Sequence, residues 1–297
     1  MRNPLLPRVA AVVALGIVSS LVLRGGGCFE RPLRVGTFNV RELGKAPTNM
    51  DRLAELVAST GSDVLALQEV MRVGAAADLA KRLEVRTGRR FVHAVSQCGG
   101  RSEMRVGYLY DAARVTLIST TEYPELAPEP GGRCGTERSG LAAKLERRDG
   151  RAPFQLLTVH FVMGGDQVAK RREQWRKAHV IAAKLGEESP VAILGDANST
   201  GFLDDDEGER TFILDEAKKA DLDVLTTDAK CTEYWRPKRG APLTPSLLDH
   251  VVATPRLVRR GSVKVHGFCA DLRCRATATD PPDFTNVSDH CPVTIDL

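Results

Sequence analysis

The chain carries little net charge. Its formal +4 over 297 residues includes Arg2, Arg8 and Arg24 near the start, and without those three it is almost neutral. Net charge therefore gives no case for a polyanionic partner. Aromatics are scarce at 5%, but 42% hydrophobic and 27% charged residues make an ordinary globular balance, which excludes a disordered chain. After Cys28 there is no low-complexity tract, no repeat and no long linker, so residues 33–297 read as one domain behind a short tether at 28–32. A second close cysteine pair is also missing, which disfavours zinc.

What is present begins with a targeting pattern. Arg2 and Arg8 precede an apolar run from Val9 to Leu23, too short for a comfortable membrane span and suited to a signal-peptide core. "RGGGC" then places small residues before Cys28, as in a bacterial lipoprotein processing site, although Gly25 stands where Leu is usual. A lipoprotein signal over 1–27 is the leading reading, ahead of an ordinary cleaved signal and an uncleaved anchor. It implies export to the periplasm, outer membrane or cell surface, with a lipid anchor at Cys28. Six cysteines then remain: Cys98, Cys134, Cys231, Cys269, Cys274 and Cys291. They suffice for three disulfides in an oxidising compartment. "CADLRC" suggests one tight bridge and Cys98 with Cys134 another, but spacing alone leaves the pairing open.

Short apolar runs bounded by turn formers recur as strands, among them "LRVGTFNV", "DVLALQEV", "FQLLTVHF", "VAILGDAN" and "PVTIDL". Helical patterns lie between them. One runs from Thr48 to Thr60, with Thr48 and Asp51 as a capping box and Gly61 as its stop. Others span Ala75–Thr87 and Asp166–Leu185, the last with Trp175, Ala178, Ala182 and Leu185 along one side. Many strands and few helices predict two packed sheets with helices outside.

Polar residues gather at strand ends: Asn39 in "TFNVR", Glu69 in "LQEV", His160 in "TVH", Asp196 and Asn198 in "GDAN", Asp249 and His250 in "LDH", and Asp289 and His290 in "SDHCPV". A buried carboxylate without a partner costs several kcal/mol. Convergence on one pocket is the economical account of so many. No Ser or Cys stands near an obvious activating base. Oxygen donors suit a hard cation, and a His beside carboxylates suits a base. Cation, base and acid together are equipment for attacking a phosphate ester with water.

These six motifs, in this order, resemble the endonuclease/exonuclease/phosphatase superfamily over about Leu33 to Leu297. The resemblance implies an α/β fold, a four-layer α/β/β/α sandwich of two packed, mainly antiparallel sheets. It also implies a metal-dependent phosphoric ester hydrolase. Glu69 becomes the main metal carboxylate, with Asn39 and Asp289 around the same Mg²⁺; Mn²⁺ and Ca²⁺ are alternatives. His290 with Asp249 becomes the base or transition-state binder. Asp196 and Asn198 position water and a phosphate oxygen, and His160 donates a proton to the leaving group. Arg41, Arg138 and His160 favour the DNase I-like branch over the abasic-site repair branch. That branch also carries a Glu supporting its first histidine; here Met104 holds that place and Glu103 lies one residue away, on the opposite strand face.

DNA is thus the first expected substrate, as a nucleic-acid phosphodiester cut with little sequence preference. A sphingomyelinase- or phospholipase C-like phosphodiesterase, or a phosphatase, is the alternative. An inactive surface-binding module is the third reading, opposed by the complete residue set. No protein partner is implied, and a monomer is expected. Tyr234 and Trp235 in "YWRPKRG" are substrate-contact candidates, against plain loop packing. "DDDEGE" (Asp204–Glu209) reads as a solvated loop before a second cation site, and "KRREQWRK" as the wet face of a helix before a nucleic-acid stripe. Alternation assigns His250 a structural place.

Overall fold

The computed structural model describes residues 31–127, 134, 138–259 and 261–297. The signal-peptide and Cys28 expectations lie outside these residues. Strands follow in chain order as β1 (Arg34–Leu43), β2 (Val64–Val70), β3 (Phe91–Val95), β4 (Arg105–Asp111), β5 (Val115–Tyr123), β6 (Gly140–Arg147) and β7 (Phe154–His160). They continue as β8 (Val191–Asp196), β9 (Asp223–Val224), β10 (Glu233–Trp235), β11 (Thr244–Ser246), β12 (Asp249–Ala253), β13 (Lys264–Val265) and β14 (Val293–Asp296). The helices are α1 (Met50–Thr60), α2 (Val73–Thr87), α3 (Val168–Gly186), α4 (Glu209–Lys219) and α5 (Gly267–Asp271).

Two six-stranded sheets form, in the orders β13-β14-β1-β2-β4-β3 and β5-β6-β7-β8-β12-β9, with β10-β11 as a separate ribbon. Pairing is antiparallel except for β1 with β2 and β7 with β8, each joined by a helical crossover through α1 or α3. Period-two alternation builds the layers. Val64 and Ala66 of β2, and Ala192 and Leu194 of β8, meet between the sheets in a core with Val251, Val293 and Ile295. Leu65 and Leu67 face α1 and α2. Val191, Ile193 and Val252 face α3 and α4, where Trp175 is buried. The result is the expected four-layer sandwich.

The sheets are also stitched by polar bonds below the site. Thr37 Oγ1 donates to Gln68 Oε1 (3.1 Å), and Gln68 Nε2 donates to Thr158 Oγ1 (3.0 Å). Tyr108 Oη reaches the carbonyls of Leu141 and Leu156 and accepts from Thr158 N. At Gly195 β8 approaches β7 so closely that a Cβ would lie 2.0 Å from the Val159 oxygen, with φ at 149°. Only glycine fits there.

The helices stop where glycine permits a left-handed turn, Gly61 after α1 and Gly88 after α2. The start of α1 differs from expectation: Asn49, not Thr48, is the cap, its Oδ1 accepting from Arg52 N at 3.1 Å. "DDDEGE" leads into α4, with Asp205 accepting from Thr211, so the run is a helix-entry loop. In "KRREQWRK" Lys170 and Arg176 are exposed as expected, but Arg171 is fully buried and paired with Glu209 (2.6 Å).

Three disulfides close the described chain. Cys98–Cys134 is as anticipated. The tight "CADLRC" bridge does not form; Cys269 pairs with Cys291 and Cys274 with Cys231. All four pack in one cluster with Tyr234, Leu243 and Phe268, so nearer partners in space replace the nearer one in sequence. Among the described residues, no helix is long and apolar enough to cross a membrane.

Two outcomes follow for stability. Replacing Cys269 and Cys291 together with Ser is expected to cost about 2–4 kcal/mol in urea unfolding. Burial pushes His179, His250 and His266 each down to about 4, against partial opposition at His179 from Glu216 and at His250 from Asp249. Their folded pKa lies below the unfolded value near 6.5, so the unfolded chain takes up protons first as pH falls. Stability is then full above about pH 6.5 and lost toward pH 4. The urea midpoint should fall across that window, and less steeply in His179→Phe, which keeps the stack on Trp175 (5.3 Å).

Candidate active site

The strand register assembles the site. His160 lies beside Asp196 across the parallel β7–β8 pair, and Asp196 lies opposite Asp249 across the antiparallel β8–β12 pair. All three share parity with the inter-sheet core residues of their strands, so they emerge between the sheets at one end. His250, one place on, points the other way. It packs against Phe202 (4.4 Å) and bonds Thr226 through Nδ1 (2.9 Å), the structural place expected for it.

His290 completes the row from the C-terminal corner. Its Nδ1 lies 2.8 Å from Asp249 Oδ2, and its Nε2 lies 3.7 Å from Asp196 Oδ2. Ser288 fixes that corner, its Oγ accepting from His290 N and donating to the Asn39 carbonyl. Thr232 Oγ1 accepts from the amides of Leu248 and Asp249.

Glu69 arrives by a different route. Alternation along β2 would turn it to the helix side. A register shift between Leu67 and Val70, with φ of 62° at Glu69 itself, brings it into the cavity instead. Arg41, Glu42 and Asn198 also hold positive φ, so strained backbone gathers here as it does at functional sites. Glu69 accepts from Glu42 N and from Asn39 Nδ2 (3.1 Å). Asn39 Nδ2 also reaches Asp196 Oδ2 (2.9 Å), while its Oδ1 accepts from Arg41 N. As placed, Asn39 is a donor between two carboxylates.

A cavity of about 400 Å³ opens over this row. Of the residues expected from sequence, it brings together Glu69, Arg138, His160, Asp196, Asn198, Trp235, Asp289 and His290. Asn39 and Asp249 lie directly behind, through their bonds to Asp196 and His290. Two expectations are corrected. Arg41 is spent on the carbonyls of Phe284 and Thr285 and does not line the cavity. Tyr234 is fully buried in the disulfide cluster, its hydroxyl donating to the Arg275 carbonyl. Because Tyr234 and Trp235 are adjacent in a strand, only one can face the cavity; the partner of Trp235 on that face is Glu233, which sequence reading missed. The alternation in "TEYW" was the signal for it.

The electrostatics follow from burial. Burial pushes the Asp196 carboxyl up to about 7, with Asp249 adding and His290, Asn198 and Asn39 opposing. Burial also lifts Glu233 to about 8. For His290 burial works downward, but Asp249, Asp196 and Asp289 outweigh it and hold the imidazole well above its ordinary value. His160 goes the other way, held neutral by burial and by the charges of Arg138 and His290. Its Nε2 lies 3.3 Å from Arg138 Nη2 and 3.4 Å from Asp196 Oδ2, and its buried Nδ1 has no partner among the described residues. Glu103 turns instead to Arg105 and does not support His160.

The donor set fits a hard divalent cation. Glu69, Asp196 and Asp289 face the cavity, with Arg138 as the one Arg or Lys lining it among the described residues. Among the described residues, Asp196, Asp249 and His290 form the one acidic/imidazole group with ligand atoms within 4.8 Å of one another. Such an excess of oxygen anions is stabilised by Mg²⁺-like ions and suits neither a soft metal nor a closed zinc site.

Residues 36–290 match the sequence profile of the Endonuclease/Exonuclease/phosphatase family. The chain belongs to this family. It is a phosphoric ester hydrolase, and its family depends on a divalent cation. No curated protein sequence is significantly similar to it. Solved structures share the fold. D. rerio TDP2 complexed with a single-strand DNA product is 16% identical, with a TM-score of 0.62, covering 89% of this chain and 97% of its own. The Bacteroides thetaiotaomicron mannosyl-6-phosphatase is 17% identical at 0.61, covering 89% and 98%. The human nocturnin catalytic domain with bound sulfate is 15% identical at 0.59, covering 90% and 93%. At these identities the likeness speaks to fold alone.

Glu69→Gln is expected to weaken Mn²⁺ binding by at least about tenfold in titration calorimetry. Unchanged affinity would remove Glu69 from the cation site.

Proposed function

We propose that the protein is an exported, Mg²⁺-dependent phosphoesterase that takes one phosphate ester into the cavity described above. The observation that carries this is the row of His160, Asp196 and Asp249 across three neighbouring strands, with His290 bonded to Asp249 over it. Glu69 and Asp289 hold the cation, with Asn39 fixing Glu69. Bound there, Mg²⁺ supplies neutralisation of the phosphoryl oxygens. Asp249 orients the His290 imidazole, which in its neutral form takes the proton of the attacking water and, once protonated, gives it to the departing alkoxide. Asp196 and Asn198 aim that water. Arg138 and the neutral His160 cradle the phosphate; held neutral, His160 stores no spare proton for the leaving group.

The walls favour a small ester. A DNA backbone calls for an array of free cations. Here Arg236 is paired with Asp280 and bonded to the Ala241 carbonyl. Carboxylates dominate the cavity itself. The mannosyl-6-phosphatase of the same fold acts on a small ester and supports this order. DNA, first in the sequence reading, stands second, favoured by the DNA product bound in the TDP2 structure. Export rests on the apolar N-terminal pattern and on three disulfides suited to an oxidising compartment. Lipid attachment at Cys28 completes the reading; Cys28→Ser should move the protein from the membrane to the soluble fraction.

The test is a substrate panel with Mg²⁺, with and without chelator: aryl phosphate mono- and diesters, sphingomyelin and supercoiled plasmid. Metal-dependent release from the small esters, outpacing plasmid nicking and lowered about 10²–10⁴-fold in His290→Ala, is expected. Plasmid nicking faster than every small ester would promote the nuclease. Silence on all four would end the enzymatic reading.

A further inference from the structure

The chemistry above leaves one cavity wall without a task. Glu233 stands in register with Ser246 of β11 and is bridged to His290. It lines the cavity at 6% exposure, and its Oε2 has no hydrogen-bond partner among the described residues. A buried polar atom left unpaired costs on the order of 1–3 kcal/mol. Such an orphan calls for an explanation, and a ligand that pairs it is one. The phosphate oxygens are met by Arg138 and His160 in the reading above, which leaves Glu233 for the other half of the ester, its alcohol.

The neighbours narrow the chemistry. Trp235, two residues on and on the same strand face, lines the same cavity at 48% exposure, offering an indole surface. Ser246 and Thr200 add hydroxyls to the lining. An acyl chain would leave Glu233 Oε2 unpaired, and a quaternary ammonium has no proton to give it. A carbon skeleton dense in hydroxyls satisfies both features, its C–H face against the indole and an O–H on the carboxyl oxygen.

We propose that Glu233 is a specificity-determining residue that accepts a hydrogen bond from a hydroxyl of a sugar or polyol esterified to the phosphate, with Trp235 against the carbon face of that group. This rests on the phosphoesterase reading and deepens it.

Binding is measured by calorimetry with Mg²⁺ in the His290→Ala background, using glucose 6-phosphate and phenyl phosphate as probes. Glucose 6-phosphate should bind more tightly, and Glu233→Leu should weaken it about 10- to 100-fold. Phenyl phosphate should change by less than about threefold, since it makes no such bond. Glu233→Gln, which keeps an acceptor oxygen and the side-chain shape, should retain most of the preference. In otherwise unaltered enzyme the same pattern should appear in KM, with kcat little changed. Equal losses on both probes, tighter binding of phosphocholine than of the glucose ester, or a fall in Mn²⁺ affinity matching that of Glu69→Gln would each overturn the assignment. Hydrolysis without the Glu233-dependent difference removes the subsite alone. The binding difference without hydrolysis of any ester keeps the subsite and removes the phosphoesterase reading.

Discussion

Asp196 and Asp249 face each other on paired strands with almost no solvent between them. Two carboxylates so placed repel strongly in a low-dielectric interior, and burial, with Asp249 adding, lifts the Asp196 carboxyl to about 7. The rest of the site answers that constraint. His290 bonds one carboxylate and approaches the other, while Asn39 gives its amide hydrogens to Asp196 and Glu69. The same concentration of charge that strains the fold makes a cation welcome, and it leaves a protonatable imidazole at the cavity floor. Stability and chemistry therefore draw on one electrostatic arrangement.

Much of this was legible in the sequence because polar residues at the ends of Val- and Leu-rich strands are conspicuous. Asn39, His160, Asp196 and Asp249 follow simple alternation, and so does the outward turn of His250. What escaped was whatever alternation does not govern, or governs against the eye. Glu69 reaches the cavity through a bulge and a left-handed residue, which strand periodicity does not foretell. Tyr234 looked like a ligand contact because it is aromatic and next to Trp235, yet the pleat gives that face to Glu233. The pairing of Cys269 and Cys274 with Cys291 and Cys231 depends on which residues the fold brings into one cluster, and spacing carries no record of that. Arg171 was hidden in a basic run whose other members are mostly wet.

Arg171 shows how the rim is held. Its guanidinium bonds Glu209, Thr200 Oγ1 and the Gly164 carbonyl, while Glu209 Oε2 accepts from Gly201 N. One buried ion pair thus ties the loop after β7 to the loop after β8, and both border the cavity. A buried pair of this kind contributes little net stability over an apolar substitute. Its value lies in fixing two glycine-containing loops at one spacing. Across the cavity, Cys269–Cys291 anchors the residue next to His290, and Cys231–Cys274 anchors the strand that carries Glu233 and Trp235. Both walls are covalently or ionically pinned while the strands beneath are set by backbone register. A pocket built this way enters the reaction with its donors already aimed, and groups that need not reorganise are the ones that stabilise developing charge most effectively. Reduction would loosen the wall of Glu233 and Trp235 and the corner next to His290 together, while leaving the residues on β7, β8 and β12 in place.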